Sequence, residues 1–403
     1  MNSKTKCLDK SLKIVFAVLM CVYAVALFYL FYNQTGFFDT GLFESDLPFH
    51  LKFAVEDRFF YSFTTFIYLF FSKFSCFKIL VALSLTAATV GSVMLTKTLL
   101  DKAFKAYEIV ISGGLSLMVS MALNFVLAFY IPWAGKSHYV AYQSGNLWHN
   151  STYIFMRVFA ELTLLMWMDF YDSYKDGIKA SKWILLSALL MVTTGIKASF
   201  FTVFGPVMAL FLLYDLCRKV KFSKVFVAAL TVVPSMAVML IQSVVLFGDE
   251  TGNGYIIKPF YTLSLRGEHP KAALVLSVLF PLCVGLMHVK DVLRDKLYIG
   301  SLLIWFFGFI EVFLFAETGN RSKDGNFLWG YSISLFILFI ISAVKFIKDL
   351  MLTFGQKKTV DITSEFGWIK KIYLLGCAGI FMWHVISGVW YFVLLLSGVT
   401  YFV

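Results

Sequence analysis

The chain has 403 residues, of which 60% are apolar and only 15% charged, with a mean hydropathy of +0.79. That balance excludes a soluble globular domain and a disordered chain, and it fits a polytopic membrane protein. The formal charge of +11 does not call for a nucleic-acid partner, because the basic residues sit between apolar runs, where positive-inside topology accounts for them. Six cysteines (Cys7, Cys21, Cys76, Cys217, Cys283 and Cys377) are scattered without a CxxC pair, which gives neither a disulfide framework nor a metal site.

Recurring apolar runs predict an all-α polytopic fold of about eleven transmembrane helices in a single transmembrane domain, 1–403. Spans are predicted at 13–32, 76–96, 107–131, 151–170, 183–196, 199–216, 225–247, 271–289, 297–316, 327–347 and 372–395. The first follows a lysine-rich start without a small-residue cleavage site, so it reads as an uncleaved anchor with a cytoplasmic N-terminus. Between 183 and 216 two short apolar pieces meet at Gly195-Ile196-Lys197-Ala198-Ser199. They read as a helical hairpin with Lys197 at its tip, and a single broken helix is the competing reading. The hairpin keeps Arg218, Lys219, Lys221 and Lys224 on the cytoplasmic side with most other Lys and Arg. The outer loops are then 33–75, 132–150, 248–270 and 317–326. Within the first, Phe59–Phe71 is too short to span and suits a helix lying in the interface. The polar stretch 348–371 reads as a cytoplasmic loop.

The densest chemistry outside the spans is Phe43-Glu44-Ser45-Asp46-Leu47-Pro48-Phe49-His50. Two carboxylates one residue apart can supply a general base or hold Mg²⁺ or Mn²⁺. As local structure the stretch reads as a helix start, with Ser45 or Asp46 as cap and Pro48 in the first turn. A Glu-x-Asp pair in the first outer loop, after an N-in first span, resembles the GT-C superfamily of integral-membrane glycosyltransferases. The resemblance covers the topology and this loop, not the whole chain, and the large soluble C-terminal domain of some GT-C branches has no counterpart. It implies a polyprenyl-phosphate-linked sugar donor, an acidic residue of the first outer loop as base, in some members also a metal ligand, and Glu44 and Asp46 as the matching positions.

Three further groups could complete such a site. Gly145-Asn146-Leu147-Trp148-His149-Asn150-Ser151-Thr152-Tyr153 opens the fourth span, with Arg157 about two turns in. Trp148 offers a flat face to a sugar ring, while His149 and Asn150 offer hydrogen bonds. Arg157 suits a lipid phosphate, although Trp148 in the interfacial belt, a capping Asn150 and an Arg157 that snorkels or pairs with Glu161 explain the same residues. Lys197 either snorkels or meets a phosphate. The stretch Glu317–Trp329 brings Arg321 for phosphate and Asn326 and Trp329 for sugar, or is a solvated turn around Asp324-Gly325. The loop 248–270, with Tyr255, Lys258, Tyr261, Arg266, Glu268 and His269, reads as a cover over the pocket or as a plain loop.

The expectation is a transferase moving a sugar from a polyprenyl-phosphate donor to a lipid-linked or cell-envelope glycan acceptor on the outer face of the plasma membrane, with inversion. Glu44 and Asp46 are the catalytic candidates. His50, Trp148, His149, Asn150, Arg157, Lys197, Arg321 and Asn326 are the substrate-binding candidates, and membrane lipids are partners. One alternative is a polymerase or ligase of undecaprenyl-pyrophosphate-linked oligosaccharides in capsule or O-antigen assembly. The other is a transporter or flippase, which would need Glu161, Glu311 and His384 inside the membrane.

Overall fold

The computed structural model describes residues 3–126, 131, 147–247, 252, 254–265, 269–290, 292–354 and 365–398. Gly145, Asn146, Arg266 and Glu268, singled out above, lie outside the described residues. The chain is a largely helical, multi-pass membrane protein. Among the described residues, seven helices are long and apolar enough to cross a membrane, or eight if a bent pair forms one span.

The chain opens with α1 (Ser3–Gln34), then three short helices α2 (Phe37–Thr40), α3 (Leu47–Val55) and α4 (Phe63–Phe71). Helix α4 falls on the aromatic stretch expected to form one. Helix α5 (Phe77–Ala106) is longer than the predicted span. Its 30 residues reach about 45 Å, beyond a hydrocarbon core of about 30 Å, and its last turns carry Asp101, Lys102 and Lys105. The expected span 107–131 is corrected: α6 runs only over Gly113–Asn124, its start fixed by the Ser112 cap on Leu115 N–H. Helices α7 (Ser151–Ser173), α8 (Ala180–Ile196) and α9 (Ser199–Cys217) follow.

Helices α8 and α9 form the expected hairpin. Tyr174 Oη donates to Asp215 at 2.7 Å, and Lys182 Nζ donates to Asp169 O at 3.0 Å. The end of α7, the start of α8 and the end of α9 therefore lie together, and the 196–199 break lies at the opposite end.

Two breaks follow proline rules. Helix α10 (Phe222–Ala229) passes through a 3₁₀ turn at Leu230–Val232 into α11 (Val233–Phe247), just before Pro234. Helices α13 (Pro270–Ser277) and α14 (Leu279–Met287) meet at 55°. Pro281 has no N–H to give the Ser277 carbonyl, so the ladder opens there. Helix α15 (Lys296–Leu314) runs into β2 (Phe315–Glu317), which pairs antiparallel with β1 (Tyr255–Ile257), a small ladder that ties loop 248–270 to the next one. The four-residue helix α12 (Tyr261–Ser264) sits beside it.

Helix α16 (Phe327–Phe354) is the central post: nearly all its side chains from Gly330 to Phe346 are buried. It packs closely on α15, because a Cβ at Gly308 would meet Ser334 and one at Gly330 would meet Glu311. Small residues at a helix crossing let backbones approach in this way. Helix α16 continues to Phe354, so the first part of the expected loop 348–371 is helical. Helix α17 (Glu365–Leu396) closes the bundle.

The bundle has two distinct ends. One gathers the lysines and their partners: Lys13 with Asp9, Lys102 with Asp169, Lys175 with Asp215, and Asp295 with both Lys345 and Tyr107. The other gathers the end of α1, helices α2–α4, the start of α7, the hairpin break and the β1/β2 loops.

Candidate functional site

At that second end the acidic stretch folds as the expected helix entry, and of the two candidate caps Ser45 makes the bond. Asp46 occupies the N-cap position of α3, with Pro48 in the first turn, yet its carboxylate makes no cap bond. Ser45 Oγ accepts from Leu47 N–H at 3.1 Å instead. This releases the Asp46 carboxylate to turn toward the start of α7. His149 Nε2 lies 2.8 Å from Asp46 Oδ1, and Asn150 Nδ2 donates to Oδ2 at 2.7 Å. The backbones join as well, Asp46 N–H donating to His149 O at 3.1 Å. Asn150 Oδ1 meanwhile accepts from Tyr153 N–H and Thr152 Oγ1, which caps α7. One amide thus starts a helix and grips a carboxylate from a segment about a hundred residues away.

The electrostatics separate the two carboxylates. Burial opposes the Asp46 charge, but the bonds and charge of His149 outweigh it, with help from Asn150, and hold the carboxyl well below the usual range. Glu44 beside it is pushed upward, first by desolvation and also by the Asp46 charge. Asp46 is a pinned anion, and Glu44 is the better proton acceptor.

His50 is buried, with Nδ1 2.8 Å from Ser151 Oγ and its ring against Tyr61. Burial pushes its imidazole down to about 4, against the attraction of Asp46. Folded His50 is therefore neutral at pH 5, where the unfolded chain binds a proton. Stability should fall as pH drops from the ordinary value of about 6.5 to about 4, by up to roughly 3 kcal/mol. Thermal unfolding of the purified protein at pH 7 and pH 5 checks this. His50→Asn is expected to lose much less than wild type over the same step, and an equal loss would remove His50 as the cause.

Lys197 faces the acidic group. The hairpin break is held by Ser62 Oγ donating to Ile196 O at 2.7 Å and by Gln242 Nε2 donating to Gly195 O at 2.8 Å and Tyr61 O at 3.0 Å. Gly195 is required here, since a Cβ would run into the Phe63 ring. Lys197 Nζ donates to Thr152 Oγ1 at 3.4 Å and lies 5.2 Å from the Trp329 ring centroid. Desolvation pushes its ammonium down to about 8, opposed by Asp46 and Glu317 and assisted by Arg321. It remains charged at neutral pH, close to a carboxylate, and held at a fixed place by the first loop.

The 317–329 loop supplies the opposite wall. Glu317 is buried and accepts from Asn326 N–H at 3.2 Å and from Asn326 Nδ2 at 2.9 and 3.1 Å. It closes the loop as a bracket, so Asn326 spends its donors internally and only its amide oxygen is left for a sugar. Arg321 Nε lies 3.4 Å from Asp324 Oδ2, and its charge acts on Lys197, Tyr61 and Tyr255. Trp329 is partly open and packs on Tyr153 at 4.9 Å.

Two expected site residues stand elsewhere. Trp148 has no exposed surface. Its ring is covered by Phe392 at 4.7 Å, Phe125 and Tyr391, and its Nε1 donates to Tyr23 Oη at 3.0 Å. It is a core keystone, neither a sugar platform nor part of an interfacial belt, and Trp329 is the aromatic face left at the site. Arg157 is 3% exposed and does not snorkel: its guanidinium lies 3.7 Å from the Phe336 ring centroid, with no hydrogen-bond partner for Nε or Nη2 among the described residues. Glu161, one turn on, accepts from Thr96 Oγ1. The structure brings Glu44, Asp46, His50, His149, Asn150, Lys197, Arg321 and Asn326 to one end and leaves Arg157 deeper, facing Glu161 and Tyr23.

Sequence reasoning missed Glu317 as a bracket, Thr152 as the Lys197 partner, and Tyr61, Gln34 and Gln242 as supports. Gln34 Nε2 donates to Trp148 O at 3.0 Å and ties the end of α1 to the start of α7. A glutamine just past the end of a long apolar run was the available signal. A divalent cation fits poorly at Glu44 and Asp46, because both Asp46 oxygens are engaged. Among the described residues no three His, Cys, Asp or Glu stand together as a metal-holding group. No family model, curated protein or solved structure matches the chain.

Proposed function

We propose that the chain is a membrane glycosyltransferase that moves a sugar from a polyprenyl-phosphate donor to a hydroxyl of a lipid-linked or cell-envelope glycan. The observation that carries this reading is the opposition of a pinned anion, Asp46, and a free carboxyl, Glu44, to the fixed cation Lys197, with Arg321 and Trp329 beside it. Such an arrangement suits an acceptor hydroxyl on one side and a lipid phosphate on the other. The donor's chain would lie along the bundle with its phosphate at Lys197 and Arg321. Glu44 takes the proton of the acceptor hydroxyl, and the oxygen attacks the anomeric carbon. The bond from that carbon to the phosphate oxygen breaks, and the leaving polyprenyl phosphate keeps the electron pair, held by the two cations. A single displacement inverts the configuration.

The reading includes a finer topology. If α6, α7, α8 and the bent α13–α14 pair also cross, the count returns to eleven, with the lysine-rich end cytoplasmic and the site on the outer face. The antiparallel pairing of helix ends supports this, as does the positive-inside bias.

Transfer of labelled sugar from a polyprenyl-phosphate donor by purified protein in detergent tests the activity, since detergent offers no compartments or membrane potential. Wild type should transfer, and Lys197→Met should raise the donor KM roughly tenfold or more. Donor binding should weaken as pH rises through about 8, where Lys197 loses its proton. Absence of transfer across plausible donors would favour the second reading, a transporter or flippase of an anionic or lipid-linked solute. Arg157 and Glu161, buried inside the bundle with unpartnered polar atoms, favour that reading.

A further inference from the structure

Tyr61 stands in the segment between α3 and α4. Its ring is held by Phe59 at 5.6 Å, His50 at 5.9 Å and Phe53 at 6.0 Å. Its carbonyl accepts from Gln242 Nε2 at 3.0 Å, and the same nitrogen donates to Gly195 O, two residues before Lys197. Ser62, the next residue, donates to Ile196 O. Ring and backbone thus tie Tyr61 to the frame that positions the Lys197 ammonium.

The hydroxyl at the end of that ring is buried and has no hydrogen-bond partner among the described residues. A buried phenol ordinarily finds one, because an unanswered polar group is costly. Its surroundings are those of the site, since the charges of Asp46 and Arg321 both act on it. Burial, with Tyr68 and Asp46, pushes the phenol above its ordinary value of 10.0, so it keeps its proton and stays a donor at neutral pH. Tyr68 Oη is also buried without a partner among the described residues, but it lies toward Ser151 rather than toward the charges.

The other groups around this space are donors too. Lys197 Nζ makes a long hydrogen bond, 3.4 Å to Thr152 Oγ1, and Arg321 Nε lies 3.4 Å from Asp324 Oδ2. Both Asp46 oxygens already accept, from His149 and Asn150. An ammonium, a guanidinium and a phenolic O–H at one place call for an anion with several acceptor oxygens, and a phosphate has them.

We propose that Tyr61 is a third ligand of the donor's phosphate, its hydroxyl donating to a phosphate oxygen beside Lys197 and Arg321. This role rests on the transferase reading, which places a phosphate there. It leaves a signature that a packing role lacks. Without ligand the hydroxyl is a buried group with nothing to bind, so Tyr61→Phe should unfold no earlier than wild type. With ligand the hydroxyl is used, so the same variant should bind less tightly.

Calorimetric titration of the purified full-length protein with farnesyl phosphate tests this, with unfolding midpoints taken on the same preparations. Wild type should bind. Tyr61→Phe should raise Kd about tenfold or more, as for the loss of a hydrogen bond to a charged group, with a midpoint equal to or above that of wild type. Farnesol, which has the chain and no phosphate, should bind both proteins alike. An unchanged Kd in Tyr61→Phe would overturn the proposal. The transferase reading survives that result if Lys197→Met still loses binding, and falls with it if neither variant does. A lowered midpoint in Tyr61→Phe, or an equal loss of farnesol binding, would make the hydroxyl a structural group and overturn the proposal as well. No binding of farnesyl phosphate by wild type would overturn both.

Discussion

Glu44→Gln is expected to lower sugar transfer by about 10²- to 10⁴-fold, the range for loss of a general base, without changing thermal stability. Glu44 is partly exposed, so an amide there disturbs little packing. Asp46→Asn is expected to lower transfer and stability together. Its new NH₂ would face either the Asn150 amide or the His149 nitrogen, a donor against a donor where Asp46 now accepts from both. Losing a hydrogen bond to a charged group costs about 1.5–3 kcal/mol, and the start of α7 and the entry to α3 would both loosen. Activity and unfolding midpoint measured on the same preparations distinguish the two roles. Full activity in Glu44→Gln would remove it as the base, and an unchanged midpoint in Asp46→Asn would contradict its role as a pin.

The second large effect is steric. A Cβ on Gly388 of α17 would lie 2.6 Å from the carbonyl carbon of Phe125 and closer still to its oxygen. That obstacle is backbone at the end of α6, so no side chain can swing aside. Gly388→Ala should therefore cost about 3 kcal/mol or more, by driving α17 and its Phe392 away from Tyr23, Phe125 and Trp148. Gly376→Ala and Gly379→Ala on the same helix meet nothing within 4 Å. They should be neutral or slightly stabilising, since alanine is the better helix former. Unfolding midpoints of the three variants in detergent check this, and equal midpoints would refute the close contact. The cluster holds the residues next to His149, so Gly388→Ala should also weaken the site from a distance.

Much of the architecture was legible because lipid allows few solutions: apolar runs with lysines at alternate ends name the long helices, and Lys197 between two short runs names the hairpin tip. Pro48 named the start of α3. What escaped the sequence depended on contacts across the chain. Trp148 at a helix start reads the same whether it meets a sugar, an interface or a core, and only its Phe392 and Tyr23 neighbours decide. Ser45 and Asp46 read equally well as the cap, and the capture of Asp46 by Asn150 across 104 positions leaves no local trace. The span 107–131 was overextended because its hydropathy continues through Ile109–Ile111, while the helix waits for the Ser112 cap. Asn326 read as a free amide because its partner Glu317, nine positions earlier, read as part of a solvated turn.

The central claim is that Lys197 and Arg321 hold a lipid phosphate opposite the Glu44 and Asp46 carboxylates in one site. Photo-crosslinking of the purified protein with a diazirine-tagged polyprenyl phosphate, the label set beside the phosphate, tests it most directly. Adducts are expected on peptides containing Thr152, Lys197 or Trp329, and Lys197→Met should lose them. Adducts confined to other segments, or undiminished in Lys197→Met, would contradict the account.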